Sequence, residues 1–386
     1  MNHQGSRVRV AIDARPALDP LRTGVGHYAD HLIRALPGVD PEATWVAWYL
    51  HARGLLQPRR FFPEVDAPNF EEHASRFPAR LYQPISWRLG VPRLEWLLDL
   101  DAVLATNFLP PPTRKPAVLV VHDLAYERFP ETAPHVDRRW RARFANGVRT
   151  SAAVIVPSEA TKRDLLDACL VDEAKVTVVP HGVDPPLLVA PGAVGRARRR
   201  FGIEGEYVVF IGGIEPRKNL RALVRSFARV PGDAALVLAG GPVRWIPGEA
   251  GRLRAEVNAL PKPARNRVVL TGYVTGEEKA ALLGGAIALA YPSIYEGFGL
   301  PVLEAMAAGL PVLASNVSSL PEVTGDAALL VDPASEEEIA QGLSRLLSDE
   351  GLRGRLREAG RTRAASFTWE RTARATAEVL RRAVTE

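Results

Sequence analysis

The sequence predicts an α/β protein with two doubly wound domains, each built on a parallel β-sheet. Short runs of β-branched and other apolar residues alternate with longer amphipathic stretches, which is the pattern of repeated strand–helix units. The alternation restarts halfway along the chain. A length of 386 residues also exceeds what one hydrophobic core usually serves. We therefore expect two domains of the same architecture.

Five apolar runs in the first half of the chain are predicted to be strands. They lie at residues 8–12, 45–50, 102–105, 118–121 and 153–156. A second series begins at residues 207–211 and continues at 235–239, 267–270, 286–291, 311–314 and 328–331. The restart indicates two sheets instead of one long one. In sheets of this kind, ligands bind outside the carboxyl ends of the strands.

Two segments predict the domain borders. Residues 189–200 read Val-Ala-Pro-Gly-Ala-Val-Gly-Arg-Ala-Arg-Arg-Arg, which we interpret as a linker-like join. The segment from Phe367 onward is predicted to be a helix with Thr368 as its N-cap, because a threonine hydroxyl can accept from the first N–H groups. We therefore predict a first domain over residues 1–187, a second over 188–366 and a terminal helix over 367–386.

The composition excludes some classes of protein and leaves others open. A single cysteine, Cys169, excludes an internal disulfide and a cysteine-based zinc site. The net charge of +5 would suit nucleic acid, anionic lipid or phosphorylated substrates, and it could equally be a compositional bias toward arginine. The amino terminus has no apolar signal-like region, and no apolar run approaches the length of a membrane span. We expect a cytoplasmic protein.

The most informative segment begins at Glu296 and reads Glu-Gly-Phe-Gly-Leu-Pro-Val-Leu-Glu. Pro301 suits the first position of a helix, because its φ is preset and no N–H is needed there. The N–H groups around Gly299 and Leu300 would then face outward at the positive helix end, where phosphate binds well. Glu304 would lie one turn into this helix. Either carboxylate alone could simply complement a helix dipole. Together they favour a diphosphate-binding site that lies between two carboxylates, each able to accept hydrogen bonds from sugar hydroxyls.

Arg217 and Lys218 follow the first strand of the second series, within Gly-Gly-Ile-Glu-Pro-Arg-Lys-Asn. Arginine offers a planar pair of donors and lysine a compact charge, so both can meet one phosphate group. A solvated charged turn is the alternative. Their place at the carboxyl end of a strand favours a binding role.

Gly24 and Gly26 formally match the dinucleotide fingerprint G-x-G-x-x-A. We reject that interpretation, because the first glycine should lie directly at the strand end, whereas ten residues separate Asp13 from Gly24. The second strand should also end in an acidic residue, and it ends in Tyr-Leu-His. We expect instead a mobile glycine loop whose N–H groups can approach an anion.

Three further polar groups are candidates. His122 and Asp123 follow the strand at 118–121, where the histidine could donate to a substrate hydroxyl or leaving oxygen; a structural histidine is the alternative. His181 precedes a glycine and is expected to serve a structural turn. The pair Asp99 and Asp101 resembles a metal-binding Asp-x-Asp, but without a second acidic cluster we interpret it as a charge pair at a helix end.

Four motifs together resemble those of the GT-B glycosyltransferases of the large retaining family four, the glycosyl transferases group 1. They occur in the family's order over nearly the whole chain. The motifs are Thr23-Gly-Val-Gly-His-Tyr, His122-Asp123-Leu, Gly212-Gly-Ile-Glu-Pro-Arg-Lys-Asn, and the run from Glu296 through Glu304 that continues as Ala-Met-Ala-Ala-Gly-Leu-Pro-Val.

The resemblance implies a fold and an activity. Two Rossmann-like domains would face each other across a cleft, with residues 1–187 binding the acceptor and residues 188–366 the nucleotide-sugar. The helix at 367–386 would pack back on the first domain. The enzyme would be a metal-independent hexosyltransferase that retains configuration and needs no cofactor. Its partners would be a nucleotide-sugar and a saccharide or lipid-linked acceptor, with no nucleic acid.

The resemblance also assigns roles to residues. Arg217 and Lys218 would neutralise the diphosphate, Glu304 would hold the ribose hydroxyls, and Glu296 would bind the donor sugar. His122 would lie against that sugar, with Asp123 a further candidate for sugar or acceptor contact. The remaining donor-site residues would be Gly24, Gly26, Tyr273, Val274, Phe298, Gly299 and Leu300, with Gly24 and Gly26 closing over the phosphates and Tyr273 and Val274 bordering the base.

Three points are left open by the resemblance. Gly213 stands where some family members carry another phosphate-binding arginine, so neutralisation here would rest on Arg217, Lys218 and helix dipoles. The glycine-loop and His-Asp variants look most like those of bacterial mannosyltransferases of surface polysaccharide assembly, which makes GDP-mannose the first expected donor and a UDP-sugar the second. The basic residues at 138–143 could contact the inner membrane face or simply form a solvated helix face.

The expected mechanism is attack on the same face as the leaving phosphate, because no carboxylate is placed by the sequence as a nucleophile. Cations and N–H groups would stabilise the leaving diphosphate without a metal. Two other activities are alternatives: a nucleotide-sugar epimerase of the same architecture, and a non-catalytic protein that binds nucleotide-sugars.

Overall fold

The computed structural model describes residues 7–18, 24–50, 62–75, 79–133, 136–169, 171–186, 189–243 and 246–385. Contacts divide the chain into two compact units. The first comprises Met1–Leu124, Val136–Gly182 and Thr368–Glu386, and the second comprises Ala125–His135 and Val183–Phe367. The chain therefore returns to the first unit after completing the second. The domain boundaries near residues 187 and 366 stay predictions.

Within the described part of the first unit, seven parallel strands form one sheet in the order β3-β2-β1-β4-β5-β6-β7. The strands are β1 Arg9–Asp13, β2 Thr44–Leu50, β3 Phe70–Ser75, β4 Ala102–Ala105, β5 Ala117–Val120, β6 Ala153–Val156 and β7 Val176–Val178. The central strands β4 and β5 are buried along their whole length, as expected when helices cover both faces of a parallel sheet.

Two strands of this sheet are absent from the sequence prediction. β3 reads Phe-Glu-Glu-His-Ala-Ser and β7 has three residues, and both lie at the sheet's edges. An edge strand has one neighbour and a more polar environment, so it lacks the apolar run by which the inner strands are recognised. The other predicted strands of this unit are confirmed to within two residues at each end.

Four of the unit's helices lie along the sheet connections, and a fifth comes from the end of the chain. They are α1 Gly24–Val39, α2 Ala79–Leu89, α4 Arg138–Thr150, α5 Glu159–Ala168 and α15 Trp369–Thr385. α15 packs against α1, and its apolar face joins the core on one side of the sheet. Thr368 Oγ1 accepts from Arg371 N at 3.2 Å, which confirms Thr368 as the cap.

Within the described part of the second unit, six parallel strands follow the order β10-β9-β8-β11-β12-β13. They are β8 Tyr207–Ile211, β9 Ala235–Ala239, β10 Val268–Gly272, β11 Ala288–Tyr291, β12 Val312–Ser315 and β13 Leu329–Val331. All six correspond to predicted strands. Chain order reverses between β8 and β11, which is the switch point at which doubly wound sheets bind ligands. The predicted fold class of two Rossmann-like sheets is confirmed.

The second unit contains ten α-helices in its described part. They are α3 Ala125–Arg128, α6 Ala193–Phe201, α7 Leu220–Ala228, α8 Glu249–Ala259, α9 Lys262–Arg265, α10 Gly276–Gly285, α11 Leu300–Ala307, α12 Leu320–Thr324, α13 Glu336–Ser348 and α14 Glu350–Ala364. α3 comes from the chain between β5 and β6, and the others lie along the chain from residue 193 to residue 364. Over the described ranges, none of the chain's helices combines the length and apolar character that a bilayer crossing requires.

The predicted linker at residues 189–200 is wrong in its second half, because residues from Ala193 onward form α6. Ala193 and Ala197, four residues apart, are buried in the core, and Arg196, Arg199 and Arg200 are exposed on the outer face. Gly192 and Gly202 bound the helix with φ of 75° and 65°, a conformation that glycine adopts readily. The glycines that suggested a flexible join are helix ends.

Gly182→Ala should destabilise the first unit. A Cβ on Gly182 would lie 2.3 Å from the backbone nitrogen of Trp369, so α15 would have to move. We expect a loss of about 2 kcal/mol or more, seen as a fall of roughly 4–8 °C in the melting temperature. Gly38→Ala, at an exposed position of α1 with no atom within 4 Å of the added carbon, is the control and should be neutral or slightly stabilising. Equal melting temperatures for the two variants would contradict the packing of α15.

Candidate functional site

Three predicted site residues come together at the switch point of the second sheet. Arg217 and Lys218 lie in a short 3₁₀ turn after β8, and Glu296 lies in the loop after β11. β8 and β11 are hydrogen-bonded neighbours although 77 residues separate Ile211 from Ala288. The carboxyl ends of the two strands therefore bring both cations to the same carboxylate.

The Glu296 carboxylate is held between the two cations. Arg217 NH1 donates to Oε2 at 2.8 Å, and Lys218 Nζ donates to Oε1 at 2.6 Å. Lys218 Nζ also donates to the Tyr291 hydroxyl at 2.6 Å. Arg217 Nε donates to Glu215 Oε2 at 2.8 Å. Neither Glu215 nor Tyr291 was predicted from the sequence, and we call these five residues the charge cluster.

Burial makes the charge cluster electrostatically strong. The side chains of Lys218 and Glu296 are each 7% exposed. Burial alone would raise the pKa of Glu296, but Arg217 and Lys218 outweigh it and lower that pKa to about 2. Burial lowers the pKa of Lys218, with Arg217 adding to the effect and Glu296 opposing it. Burial also raises the pKa of Tyr291 well above its ordinary value, so its hydroxyl stays neutral.

Serines from the loop after β12 fix the backbone around Glu296. Ser318 Oγ accepts from Glu296 N at 3.2 Å and donates to Glu296 O at 2.6 Å. Ser319 Oγ lies 2.9 Å from the carbonyl oxygens of Glu296 and Phe298. Ser318 adopts φ 59°, unusual for a residue other than glycine. The sequence contains these serines as Ser-Asn-Val-Ser-Ser, but only the fold brings them to residue 296.

The helix that follows Glu296 begins almost as predicted. Gly299 is the N-cap of α11, Leu300 is its first residue and Pro301 its second, one position later than expected. Gly299 adopts φ 107°, and a Cβ there would lie 2.6 Å from Leu320 Cδ2, so both conformation and space require glycine. Phe298 is buried, and its ring meets that of Phe367 edge-on at 5.8 Å.

Glu304 lies one turn into α11 and pairs with a lysine that the sequence did not indicate. Lys279 Nζ donates to Glu304 Oε1 at 2.7 Å. The two side chains are 27% and 31% exposed, so both are open to solvent in part. Lys279 lies near the start of α10. Thr275 and Glu278 form a capping box at the N-terminus of this helix.

Glycines end three neighbouring strands of this sheet. Gly212 follows β8, Gly240 follows β9, and Gly272 ends β10. A Cβ on Gly240 would lie 1.7 Å from Gly212 O, so the two backbones are in contact. Tyr273, 64% exposed, follows directly, and Val274 packs partly against the core. The strand ends beside Tyr273 therefore carry glycines, which have no side chains.

Gly213 departs from the family pattern for a steric reason. A Cβ there would lie 2.8 Å from Val243 Cγ2. A larger residue such as arginine would require Val243 to move. The cationic charge in this part of the site comes instead from Arg217 and Lys218.

His122 lies in the first unit, directly after β5. Its Nε2 is 2.8 Å from the carbonyl oxygen of Thr106. Because a carbonyl can only accept, Nε2 carries the hydrogen. Burial lowers the pKa of His122, so the ring is neutral near pH 7 and Nδ1 is an acceptor. A substrate hydroxyl would thus meet an acceptor at Nδ1 instead of the predicted donor. Asp123, the next residue, is partly buried.

His181 is buried among aromatic rings. Its ring centroid lies 4.7 Å from Tyr28, 5.5 Å from His122 and 6.3 Å from Trp369. Burial, with a smaller effect of His122, lowers the pKa of His181 well below its ordinary value. Its surroundings combine α1, β5 and α15 of the same unit, so the position is part of the unit's core.

The glycine loop prediction is corrected. Gly24 and Gly26 lie in the first turn of α1, not in a loop, and Gly26 is buried. Residues 19–23, which include Thr23 of the motif, lie outside the described residues. His51 also lies outside them. The N–H groups of a helix's first turn still have no intrahelical acceptor, so anion binding at this place needs no loop.

Asp99 and Asp101 both contact Arg9. Asp101 Oδ2 accepts from Arg9 N at 2.9 Å, and Asp99 Oδ2 lies 3.5 Å from Arg9 Nε. These contacts fit the predicted charge pair. Nowhere in the described ranges do three or more His, Cys, Asp or Glu side chains form a group suited to a metal ion.

Two family profiles match successive parts of the chain. "Glycosyltransferase Family 4" matches residues 22–186, and "Glycosyl transferases group 1" matches residues 196–363. A curated relative, the O-antigen chain mannosyltransferase B of Escherichia coli, is 27% identical over 94% of this chain and 97% of its own length. The D-inositol 3-phosphate glycosyltransferase of Stackebrandtia nassauensis is 34% identical over 58% of this chain and 53% of its own length.

Other curated relatives include further mannosyltransferases, of which the chain spans between 21% and 59%. Among solved structures, Anabaena Alr3699/HepE in complex with UDP and glucose has a TM-score of 0.74 at 19% identity, covering 97% of this chain and 100% of that one. This likeness concerns the fold, and it agrees with the two Rossmann-like sheets.

The two profiles and the charge cluster at the switch point define the class of protein, a GT-B glycosyltransferase. The chain belongs to family four of these enzymes, the glycosyl transferases group 1. This family transfers glycosyl groups with retention of configuration and without a metal.

Glu296→Gln should flatten the dependence of stability on acid pH. The pKa of Glu296 is depressed in the folded protein, so its contribution to stability is complete above an ordinary glutamate pKa and is lost as pH falls toward 2. The contribution is about 3 kcal/mol. Urea unfolding between pH 6 and pH 3 should show a smaller loss for the variant than for the wild type. Parallel curves would refute the depressed pKa.

Proposed function

We propose that this glycosyltransferase moves mannose from GDP-mannose to a saccharide or lipid-linked acceptor with retention of configuration. The observation that best supports this proposal is the match to the O-antigen chain mannosyltransferase B of Escherichia coli, which extends over nearly the full length of both chains. The presence of further mannosyltransferases among the relatives supports the same sugar. The first domain binds the acceptor, and the second binds the donor.

The charge cluster supports a diphosphate site. Arg217 and Lys218, in the turn after β8, are both held by Glu296 from the loop after β11, so their donors need little reorganisation when charge develops on the leaving group. The N–H groups of Phe298, Gly299 and Leu300 at the start of α11 add a positive helix end. Gly24 and Gly26, in the first turn of α1, are the proposed phosphate contacts of the first domain.

Glu304 is the proposed ligand of the ribose hydroxyls. Its carboxylate is partly exposed, and one of its oxygens is already oriented by Lys279. The strand ends beside Tyr273 and Val274 are suited to a planar base, because Gly212, Gly240 and Gly272 carry no side chains there. In this proposal, the base, ribose and diphosphate lie along the strand ends toward Glu296.

Glu296 is the proposed partner of the mannose hydroxyls. Because its pKa is near 2, it is a carboxylate at neutral pH and can accept hydrogen bonds from sugar hydroxyls but cannot act as a general acid. His122, neutral and with Nε2–H committed to Thr106, accepts from a further hydroxyl through Nδ1. Asp123 is a weaker candidate for the same sugar or for the acceptor.

The proposed reaction breaks the bond between the sugar's anomeric carbon and the diphosphate oxygen, and the acceptor oxygen attacks from the same face. The electron pair of the broken bond goes to the diphosphate, whose charge Arg217 and Lys218 stabilise. The acceptor's proton passes to the departing phosphate oxygen, which lies on the face of attack. Glu296 is committed to two cations, which makes it a poor nucleophile.

The location of the protein is a separate proposal. We place it in the cytoplasm, with a peripheral contact to the inner membrane face if the acceptor is lipid-linked. The support is the basic face of α4, on which Arg138 and Arg139 are exposed. Clustered basic residues bind anionic lipid headgroups. If this proposal is right, substitution of both arginines should abolish binding of the protein to anionic vesicles.

Nucleotide screening tests the donor. Calorimetric or fluorescence melts with GDP, UDP, ADP and dTDP should show the largest rise for GDP, because a ligand that binds only the folded state stabilises it. At about 100 times the Kd, we expect roughly 5–10 °C. A shift with UDP and none with GDP would overturn the mannose proposal and leave a UDP-sugar donor.

Labelled GDP-mannose, incubated with and without a mannose-terminated oligosaccharide, separates the three possible activities. A transferase labels the oligosaccharide. An epimerase changes the donor's sugar without any acceptor, and a binding protein leaves the donor intact.

Lys218→Met and Glu304→Gln should each lower kcat/KM for transfer by about a hundredfold, which corresponds to roughly 3 kcal/mol of lost transition-state binding. Lys218→Met should also lower the melting temperature, because it leaves Glu296 with one cation fewer. Glu304→Gln breaks only a partly exposed pair, so its melting temperature should be unchanged. Glu336→Gln, which removes another arginine-paired carboxylate of the second unit, is the control. Wild-type rates in a folded Glu304→Gln protein would refute the ribose assignment.

A further inference from the structure

Glu215 is the one charged member of the charge cluster to which the proposed function gives no role. Its Oε2 accepts from Arg217 Nε at 2.8 Å, and its side chain is 18% exposed. Glu215 occupies the N-cap position of the 3₁₀ turn formed by residues 216–218, yet within the described structure its side chain makes no capping hydrogen bond. The carboxylate is therefore directed at Arg217 and not at the local backbone.

Glu215 makes the charge cluster neutral before any ligand arrives. Arg217 and Lys218 carry two positive charges, and Glu215 and Glu296 carry two negative ones. All four side chains are between 7% and 18% exposed, so solvent screens them weakly. Without Glu215, the same pocket would carry one net positive charge next to the proposed diphosphate position.

Arg217 has further partners besides Glu215. Its NH1 donates to Glu296 Oε2 at 2.8 Å and to the carbonyl oxygen of Tyr295 at 3.2 Å. Its backbone carbonyl accepts from Ile294 N at 2.8 Å. The guanidinium is thus also held from the β11 side, where Glu296 supplies one negative charge, and Glu215 adds a second one.

We propose that Glu215 is a positioning residue that acts through Arg217 and limits the affinity of the site for the diphosphate product, so that the product is released after transfer. The inference rests on the proposed donor site. The leaving nucleoside diphosphate carries more charge on its terminal phosphate than it did in the nucleotide-sugar. A pocket with a net positive charge would therefore retain the product more strongly than the donor, and product release limits turnover in many enzymes.

Glu215→Gln isolates the charge. The glutamine carbonyl can still accept from Arg217 Nε, so geometry is kept while one negative charge is lost. Titration calorimetry with GDP and with inorganic pyrophosphate at low ionic strength should show a Kd about tenfold lower than that of the wild type. The difference should shrink as salt is added. Turnover of GDP-mannose should have a lower kcat together with a lower KM.

Two variants serve as controls. Glu336→Gln changes the net charge of the second unit by the same amount at the Arg225 pair, outside the charge cluster, and should leave the Kd for GDP unchanged. Glu215→Asp keeps the charge and shortens the side chain, so its Kd should stay within about threefold of the wild-type value. Circular dichroism melts verify folding, and if the glutamine variant does not fold, Glu215→Ser removes the same charge at this partly exposed turn.

The outcomes separate this inference from the proposed function. If the wild type binds none of the nucleoside diphosphates, the proposed donor site is wrong and the inference is wrong with it. If the wild type binds GDP while the neutral variants bind it equally or more weakly, the donor site stands and the role of Glu215 is overturned. If the Kd of Glu215→Asp for GDP were as low as the one expected for Glu215→Gln, geometry and not charge would set the affinity.

Discussion

The second unit depends on one interaction, the clamping of the Glu296 carboxylate between Arg217 and Lys218. Taking three charged groups out of water is costly, and the cost is recovered only when geometry is good and the remaining donors are satisfied. Tyr291 and Glu215 satisfy donors of Lys218 and Arg217, while Ser318 and Ser319 fix the backbone that carries Glu296. Removal of any one charged member leaves an uncompensated charge in a nearly dry site.

Strand order makes this clamp possible. The reversal between β8 and β11 brings together two strand ends that are far apart in the chain, and the glycines that end β8 and β9 allow their backbones to touch. Gly299 then lets α11 start within contact of Leu320. At Gly213 a side chain would require Val243 to move, so the cations of this region are those of Arg217 and Lys218 in the turn after β8.

In the first unit, burial sets the chemistry of His122. The Thr106 carbonyl fixes the hydrogen on Nε2, and the neighbouring rings keep the imidazole out of water and neutral. His181 and Trp369 complete this surrounding, and Gly182 lets α15 approach within backbone contact. The terminal helix is thus part of the packing that defines the state of the histidine.

The sequence by itself predicted the fold class, eleven of the thirteen described strands and the cap of α15, because apolar periodicity and turn chemistry are local properties. It also marked Arg217, Lys218, Glu296 and Glu304 as candidates for the site. It did not reveal the polar edge strands β3 and β7, nor α6, whose small buried alanines resemble a linker. Only the tertiary structure decided the long-range partners of the charged groups. Tyr291, Lys279 and the two serines meet the site through contacts between segments distant in the chain, and a pKa depends on such contacts more than on neighbours in sequence. Glu215 lies only two residues from Arg217, and the structure shows that its carboxylate turns toward that guanidinium.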